Sequence, residues 1–327
     1  MSERSFLSDL GNRFSDFLAF RRLGGIDTQN DLELLRYFDR FLAQQGFRGP
    51  WPTREVITDY LASIGHLHPR TQENRLSLIR QFCRYLCQFE PQCLVPEHRL
   101  PRQPPRLRNA HIYSETEIQA ILQAARALPP PGSLRPKTYA TLFGLLYTTG
   151  LRCGEAFALN LSEVNLIDHV LFIQKGKFGK SRWVPISAST AAALEQYLEA
   201  RSRAAPPEPQ SPFFITRNAG RLYHTNVELA FRQVLERCGL RGAKGCPGPR
   251  LHHLRHSFAC NRVLAWYRQG KDINALLPVL ATYLGHVSIA STQVYLHASA
   301  ELLEQASERF HENFRQNISP KGMPSPD

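Results

Sequence analysis

The amino-acid sequence predicts a mainly α-helical protein with a small antiparallel β-sheet, organised as two domains. Apolar residues recur at spacings of three and four along most of the chain, which is the period of an amphipathic helix. The length of 327 residues suits two domains better than a single hydrophobic core. A segment rich in proline and arginine near residue 100 interrupts the helical pattern. With 43% hydrophobic and 21% charged residues, both domains are expected to bury a core.

The first domain, residues 1–92, is predicted to be a small helical bundle. Apolar stripes at helical spacing run through four segments, at residues 3–22, 28–45, 53–64 and 70–89. The turn sequences LGGID and RGPWPT lie between helices, and Asp27 or Thr28 and Thr53 stand where a helix N-cap is expected. We therefore expect four helices joined by short connections.

Residues 93–110 are predicted to be a stiff, basic linker. Between residues 90 and 110 the chain has five prolines and four arginines and no apolar periodicity. Because arginine side chains neutralise phosphates without reading base sequence, such a strap fits along a nucleic-acid backbone. A solvated linker that binds nothing is the alternative. The predicted contacts with DNA are Arg99, Arg102, Arg106 and Arg108.

The second domain, residues 111–317, is predicted to be helical with a small sheet, and residues 318–327 to form a disordered tail. Ser114 and Glu117 form a capping pattern at the start of its first helix. The apolar stretch at 139–151 predicts a buried helix and is too short to span a bilayer. The beginning of the chain lacks the continuous apolar region of a signal peptide. The sequence therefore predicts a cytoplasmic protein with no membrane partner.

The charge balance favours a polyanionic partner, nucleic acid first. Forty lysines and arginines face 28 acidic residues, which gives a formal net charge of +12. Seven cysteines, an odd number without paired C-x-x-C spacing, fit reduced and mostly packed thiols better than disulfides or zinc ligands.

Two stretches predict β-structure in the second domain. Residues 169–186 read as two short strands joined by a basic glycine turn, and residues 212–223 as another strand and turn. The turn GKFGKS at 176–181 is not a phosphate-binding P-loop, since Gln174 stands where that motif needs glycine and a strand follows instead of a helix. The sequence thus gives no support for nucleotide hydrolysis and predicts no cofactor. The turn contains Lys175, Lys177 and Lys180. It could be a solvated basic turn, or it could insert into a DNA groove or place one ammonium group at a reacting phosphate.

Two motifs place cations beside groups that can transfer or accept protons. In LHHLRHSFA, His252 and His256 have a metal-ligand spacing, but no carboxylate or cysteine nearby completes a site, so no metal is predicted. His252 and Arg255, three residues apart, share a helix face. In TTGLRCGEAFALNL, an arginine in apolar surroundings is costly unless it is paired, so Glu155 is the expected partner of Arg152. A purely structural ion pair is the alternative there.

A tyrosine near the end of the chain completes an inventory that matches one reaction. Tyr295 follows His286 by nine positions in LGHVSIASTQVYLHAS, where packing alone would be the ordinary interpretation. Two arginines, a lysine, two histidines and a tyrosine in a basic protein fit attack of the tyrosine on a phosphodiester without a metal. Arginine forks would clamp the phosphate, and a lysine would protonate the leaving oxygen. A phenol with a pKa of about 10 needs a base or a cationic field to react.

In the order and approximate spacing of these motifs, the chain resembles the tyrosine recombinase, or phage-integrase-like, family of site-specific DNA recombinases. The resemblance covers nearly the whole chain and implies a helical, SAM-like core-binding domain, a basic linker and a C-terminal catalytic domain. The segment at 260–283 is longer than in compact members of the family and is similar to that of recombinases carried by transposons and other mobile elements. A helical pattern at 299–314 implies a helix that docks on a neighbouring protomer, or on its own domain.

The resemblance also implies a role for each motif residue. Tyr295 would attack the scissile phosphate and form a 3′-phosphotyrosyl link, and Lys177 would be the general acid, with Lys175 and Lys180 as DNA contacts. Arg152 and Arg255 would clamp the phosphate, and His286 would hydrogen-bond a non-bridging oxygen. His252 would assist proton transfer, Glu155 would be a supporting carboxylate, and Arg182 would be a further DNA contact.

The implied partner is double-stranded DNA with a specific core site. A homo-tetramer, or a hetero-tetramer with accessory recombinases, would assemble on two such sites in the nucleoid. A type IB topoisomerase that relaxes DNA, and a non-catalytic DNA-binding accessory protein, are the alternatives. Neither the target sequence nor the choice between integration, excision, resolution and inversion follows from the residues, because base readout depends on groove geometry.

Overall fold

The two units of the chain, Met1–Leu107 and Arg108–Asp327, each have a hydrophobic core of their own. The computed structural model describes residues 6–97, 110–174, 181–242 and 248–286 together with residue 292. The division falls within the segment predicted as the linker. Most of that linker, the predicted docking helix at 299–314 and the predicted tail lie outside the described residues.

Four helices form the described part of the first unit. They are α1 (Gly11–Leu23), α2 (Gln29–Gln44), α3 (Arg54–Ser63) and α4 (Pro69–Leu86). Their apolar faces meet around Phe14, Phe38 and Phe82, whose side chains are fully buried. The Phe14 and Phe82 rings lie 4.6 Å apart between centroids. The four predicted helical segments are thus confirmed, with one difference at the start.

The first helix begins at Gly11, later than the apolar stripe predicts. Asp39 of α2 is buried, and its carboxylate accepts hydrogen bonds from the backbone N–H groups of Leu7 and Ser8, at 2.7 and 2.9 Å. The Ser8 hydroxyl donates a third bond to it, at 2.7 Å. These donors are therefore bonded to a neighbouring helix, and the chain enters α1 only after them.

Seven helices and three short strands make up the described part of the second unit. The helices are α5 (Glu115–Arg126), α6 (Leu134–Thr149), α7 (Cys153–Ala158), α8 (Ala188–Ser202), α9 (His224–Arg237), α10 (His253–Arg268) and α11 (Ile273–Leu284). Ser114 and Glu117 form the predicted capping box at the start of α5, with bonds of 2.8 and 3.2 Å. As the 139–151 stretch predicts, α6 is buried on most of its surface and lies at the centre of the core.

The sheet has the order β1-β2-β3 and is antiparallel throughout. The strands β2 (Val170–Ile173) and β3 (Arg182–Pro185) are the predicted pair, whereas β1 (Val164–Asn165) was not predicted. The residues that follow β2 in the predicted basic turn, 175–180, lie outside the described residues.

The prediction of a further strand at residues 212–223 is wrong. This segment forms only isolated bridges, between Asn160 and Pro212 and between Ile215 and Arg221. Three consecutive side chains, Phe213 to Ile215, are buried, so the segment lacks the alternation of a strand with one buried face. It packs into the core as a loop.

The longer segment at 260–283 forms the second half of α10, a turn and α11. Asp272 caps α11 through bonds to the N–H groups of Asn274 and Ala275. The two helices share an apolar cluster that includes Val263 and Leu277. Among the described residues, no helix has the length and apolar composition needed to cross a membrane.

Candidate active site

The candidate site lies in the second unit, where the ends of α6 and α11 meet the beginnings of α7 and α10. Gly150 ends α6 and Gly285 ends α11, both in the left-handed conformation, with φ of 62° and 68°. A Cβ atom at Gly150 would clash with a ring carbon of Phe258. One at Gly285 would lie 2.8 Å from a guanidinium nitrogen of Arg182. Both turns therefore need glycine, for conformation and for space.

Glu155 of α7 is held by two arginines. Its Oε1 accepts from Nη1 of Arg152 at 2.8 Å and from Nη1 of Arg182 at 3.0 Å. Its Oε2 accepts from the backbone N–H of Arg152 at 3.0 Å and from Nη2 of Arg182 at 2.9 Å. The predicted pairing of Arg152 with Glu155 is confirmed, and Arg182 is a second partner that the sequence did not indicate.

The ionisation of Glu155 follows from this arrangement. Burial by itself raises the pKa of Glu155, since its side chain is only 6% exposed. The hydrogen bonds from Arg182 and Arg152 outweigh burial and lower the pKa to about 2. The carboxylate is therefore ionised at neutral pH and fixes the orientation of both guanidinium groups.

Three consecutive carbonyl groups at the end of α11 each accept a hydrogen bond from a different arginine. The Tyr283 carbonyl accepts from Arg182 Nε at 2.9 Å, and the Leu284 carbonyl from Arg255 Nη2 at 2.8 Å. The Gly285 carbonyl accepts from Arg152 Nη2 at 2.6 Å. Carbonyls at a helix C-terminus lack intrahelical partners and carry partial negative charge, so they suit cations. We call these three guanidinium groups the arginine collar of α11.

Arg255 is the most buried member of the arginine collar. Only 2% of the residue is exposed, and Nη1 donates to the Gly150 carbonyl at 2.7 Å. Its guanidinium thus joins the ends of α6 and α11. The collar combines three cations with the single carboxylate of Glu155, so this hydrogen-bonded set carries a net positive charge suited to an anion.

Three imidazoles lie beside the arginine collar. Burial, together with the neighbouring charge of Arg255, lowers the pKa of His252, His256 and His286 to about 4 each. The His252 ring is solvent-accessible even though protein atoms and cations surround it, and it lies edge-on to His256 with centroids 4.8 Å apart. All three imidazoles are neutral at pH 7, so each can accept as well as donate a hydrogen bond.

A buried threonine orients His286. Thr292, which is fully buried, places its Oγ1 at 2.7 Å from Nδ1 of His286. The backbone N–H of His286 donates to the Ala281 carbonyl at 2.8 Å, which fixes the residue against the end of α11. Among the described residues, His, Cys, Asp and Glu side chains form no group of three that could hold a metal ion.

The structure brings five of the predicted site residues together: Arg152, Glu155, His252, Arg255 and His286. Except for Arg182, the other predicted residues of the site and of the DNA contacts lie outside the described residues. These are Tyr295, Lys175, Lys177, Lys180, Arg99, Arg102, Arg106 and Arg108.

The exception is Arg182, which the sequence groups with the DNA contacts. Its side chain is 13% exposed, and Nε, Nη1 and Nη2 all donate hydrogen bonds within the protein. No motif or spacing indicates its contacts or that of Thr292, because Glu155 and Tyr283 are distant from Arg182 in the chain and Thr292 acts through a small hydroxyl group.

Comparisons with known proteins agree on one family. The model of the phage integrase family matches residues 112–301. The protein y4rB of Sinorhizobium fredii, which carries the name integrase/recombinase, is 41% identical over 265 residues, covering 80% of this chain and 84% of the relative. The tyrosine recombinase XerD of Caulobacter vibrioides is 31% identical over 307 residues, covering 91% of this chain and 94% of the relative.

Solved structures share the fold. The Tn1549 transposon integrase in complex with transposon right end DNA has a TM-score of 0.64 at 15% identity, covering 91% of this chain and 99% of that one. The XerH site-specific recombinase bound to its difH substrate has a TM-score of 0.62 at 20% identity, covering 85% of this chain and 78% of that one. Because the family model matches more than half of the chain and relatives 41% and 31% identical to it cover most of its length, the chain belongs to the phage integrase family of tyrosine recombinases.

Proposed function

We propose that this tyrosine recombinase cleaves and rejoins DNA at specific core sites through a 3′-phosphotyrosyl intermediate on Tyr295, using neither a metal nor ATP. The observation that carries the proposal is the arginine collar together with His286, which directly follows the last of the three carbonyls that the collar holds. Two family clamp residues, Arg152 and Arg255, are fixed on adjacent carbonyls at distances of 2.6 and 2.8 Å. Fixed donors of this kind stabilise a phosphoryl transition state because they need no reorganisation as charge develops.

The proposed step conserves atoms and charge. The Tyr295 oxygen bonds to phosphorus, the bond from phosphorus to the 5′ oxygen breaks, and the released 5′ hydroxyl takes a proton from Lys177. His252 is neutral at pH 7 because burial and Arg255 lower its pKa to about 4, so it is able to accept the tyrosine proton. Reversal of the step with a new 5′ hydroxyl rejoins a strand. One phosphoester bond replaces another in each direction, so no ATP is required.

In this proposal, two arginines and one histidine hold the non-bridging oxygens. A guanidinium has five N–H groups in a planar fork, and anchoring to carbonyls orients the fork of Arg152 and of Arg255 toward the phosphate. His286, oriented by its contact with Thr292 at 2.7 Å, would donate a hydrogen bond from its Nε2–H group to the same phosphate. Glu155 keeps Arg152 in place and takes no part in the proton transfers.

The proposed partners are double-stranded DNA and further copies of the chain. Exchanging both strands of two duplexes requires four cleavages, so four protomers on two core sites form the complete assembly. XerH and the Tn1549 integrase, whose fold the chain shares, are both bound to DNA in their structures. The formal net charge of +12 supports binding to a polyanion.

The test begins with duplexes selected from a random-sequence pool by binding to the full chain. A selected duplex is then nicked a few nucleotides from the cleavage position, so that the short 5′-hydroxyl fragment is lost and the covalent complex accumulates. We expect the wild-type protein to form this complex in EDTA and without nucleotide, and Tyr295→Phe to bind within about threefold but form none.

Tyr223, whose side chain is 69% exposed, supplies the control, since Tyr223→Phe removes a phenol oxygen without touching the site. Covalent complex from Tyr295→Phe, loss of the complex in EDTA, or a pool that yields no preferred sequence would each contradict the proposal.

A further inference from the structure

We propose that Arg182 is a positioning residue, which sets the end of α11, and with it His286, relative to Glu155 and Arg152. This inference rests on the proposed function, because its consequence is the rate of strand cleavage. It assigns Arg182 to the interior of the site and not to the DNA contacts.

The hydrogen bonds of Arg182 connect two parts of the site that are distant in sequence. Nη1 and Nη2 form a bidentate pair with the two oxygens of Glu155, at 3.0 and 2.9 Å. Nε donates to the carbonyl of Tyr283 at 2.9 Å. The planar fork of arginine matches both acceptors at once, whereas a lysine ammonium cannot keep all three bonds.

The position of Tyr283 makes this link relevant to chemistry. Its carbonyl is the first of the three that the arginine collar holds, and the chain reaches His286 three residues later. A Cβ atom on Gly285 would come within 2.8 Å of the Arg182 guanidinium, so the two are in direct contact. A shift of Arg182 would therefore be transmitted to Tyr283 and Gly285, the residues that lead into the histidine.

The strand that carries Arg182 adds a second connection. Arg182 is the first residue of β3 and pairs with Ile173, the last residue of β2. Residues 174–181 join these two positions and include Lys177, the proposed general acid. The hydrogen bonds of Arg182 to Glu155 thus hold the first residue of β3, where that connection ends.

A role in attracting DNA does not account for these contacts. The side chain of Arg182 is 13% exposed, while its charge is balanced in part by Glu155 at 2.9 Å. Surface arginines that follow phosphates are exposed and exchange partners with solvent. Arg217, which is exposed and lies in the loop after Ile215, takes no part in the hydrogen bonds described for the site and serves as the control.

The experiment compares Arg182→Lys and Arg182→Gln with Arg217→Lys and Arg217→Gln in the full chain. Single-turnover cleavage of the nicked, pool-selected duplex should fall about 100-fold in both Arg182 variants, the effect of a displacement of about 1 Å in an active site. Their Kd for the same duplex should change less than about threefold, and both Arg217 variants should cleave at the wild-type rate. If Arg182→Lys cleaves at the wild-type rate, or if the loss lies only in Kd, the proposal is overturned.

A second measurement needs no reaction. The amide groups of Gly285 and His286 are bonded to Thr282 and Ala281 at 3.0 and 2.8 Å, and their hydrogen exchange reports the order of this turn. We expect exchange to accelerate about tenfold in DNA-free Arg182→Lys and to stay unchanged in Arg217→Lys. Unchanged exchange in the Arg182 variant would overturn the inference.

A cycle with Glu155→Gln tests the route of the effect. If Arg182 acts through the carboxylate, Arg182→Gln should reduce the cleavage rate far less in the Glu155→Gln background than in the wild type. Equal reductions in both backgrounds would overturn that route.

The outcomes separate the two proposals. A wild-type protein that never traps DNA would refute the proposed function, while the exchange rates would still decide the role of Arg182. Failure of both Arg182 variants to fold would also overturn the inference, because Arg182 would then determine the fold and not the geometry of the site.

Discussion

Replacing Glu155 by glutamine should remove a pH-dependent part of the stability of the second unit. The hydrogen bonds from two arginines hold the pKa of Glu155 at about 2, against an ordinary value of 4.5. The folded carboxyl therefore binds its proton later than the unfolded one as the pH falls. Its contribution, about 3 kcal/mol, is complete above pH 4.5 and is lost as the pH approaches 2.

The sign and the size of the effect can be measured between pH 7 and pH 3. Over that range the wild type should lose about 2 kcal/mol more of its free energy of unfolding than Glu155→Gln, because only the wild type protonates this group. At pH 7 the variant should be less stable by about 3 kcal/mol, since two partly buried guanidinium groups lose their counter-charge.

The assay is denaturant unfolding of the full chain in a Trp51→Phe background. Trp51 belongs to the first unit, and the remaining tryptophans, Trp183 and Trp266, both lie in the second, so their fluorescence reports the unit that contains Glu155. Glu195→Gln, at an exposed position of α8, is the control for removing one negative charge. Parallel pH profiles of the wild type and Glu155→Gln would refute the account of the carboxylate as the ionised anchor of the site.

Three further predictions concern the turn, the histidine and the leaving group. Gly150→Ala should lower the Tm of the second unit by about 9 °C, because φ is 62° and the new Cβ would clash with the ring of Phe258. Gly154→Ala, in open space within α7, should not lower Tm and should raise it slightly, because alanine is the better helix former. Equal melting temperatures of the two variants would contradict this. Thr292→Val removes the bond to His286 and should slow cleavage about tenfold. Thr292→Ser keeps the hydroxyl group and should cleave at the wild-type rate. A Thr292→Val variant as fast as the wild type would contradict the orienting role. Lys177→Ala should lose about 1,000-fold in cleavage rate on ordinary DNA and recover on DNA with a bridging 5′ sulfur, because a thiolate with a pKa of about 8.5 leaves without protonation; no recovery would remove Lys177 as the general acid.

Local features of the sequence predicted local structure well. The helical periodicity predicted the four helices of the first unit, three of them to within a few residues at each end, and the pairing of Arg152 with Glu155 followed from the cost of burying an arginine. The capping box at Ser114 followed from a spacing of three residues. In each case the partners are close in sequence, so their residue types and spacing carry the information.

The contacts that organise the site are different in kind. Arg182 meets Glu155 and Tyr283 across 27 and 101 positions of the chain, and in the second case the partner atom is a backbone carbonyl. Every residue has such a carbonyl, so no residue type marks the ones at the end of α11. The buried run at Phe213–Ile215 was misread for a related reason, since a loop buried on all sides has the composition of a strand.

The most direct test of the account is to identify the atom that joins the protein to DNA. The wild-type covalent complex with the nicked, pool-selected duplex is digested with nuclease and protease, and the peptide that carries the nucleotide is sequenced by mass spectrometry. We predict a single phosphotyrosine linkage at Tyr295, attached to a 3′ phosphate. A linkage at Tyr283 or at any other residue, or attachment to a 5′ phosphate, would contradict it.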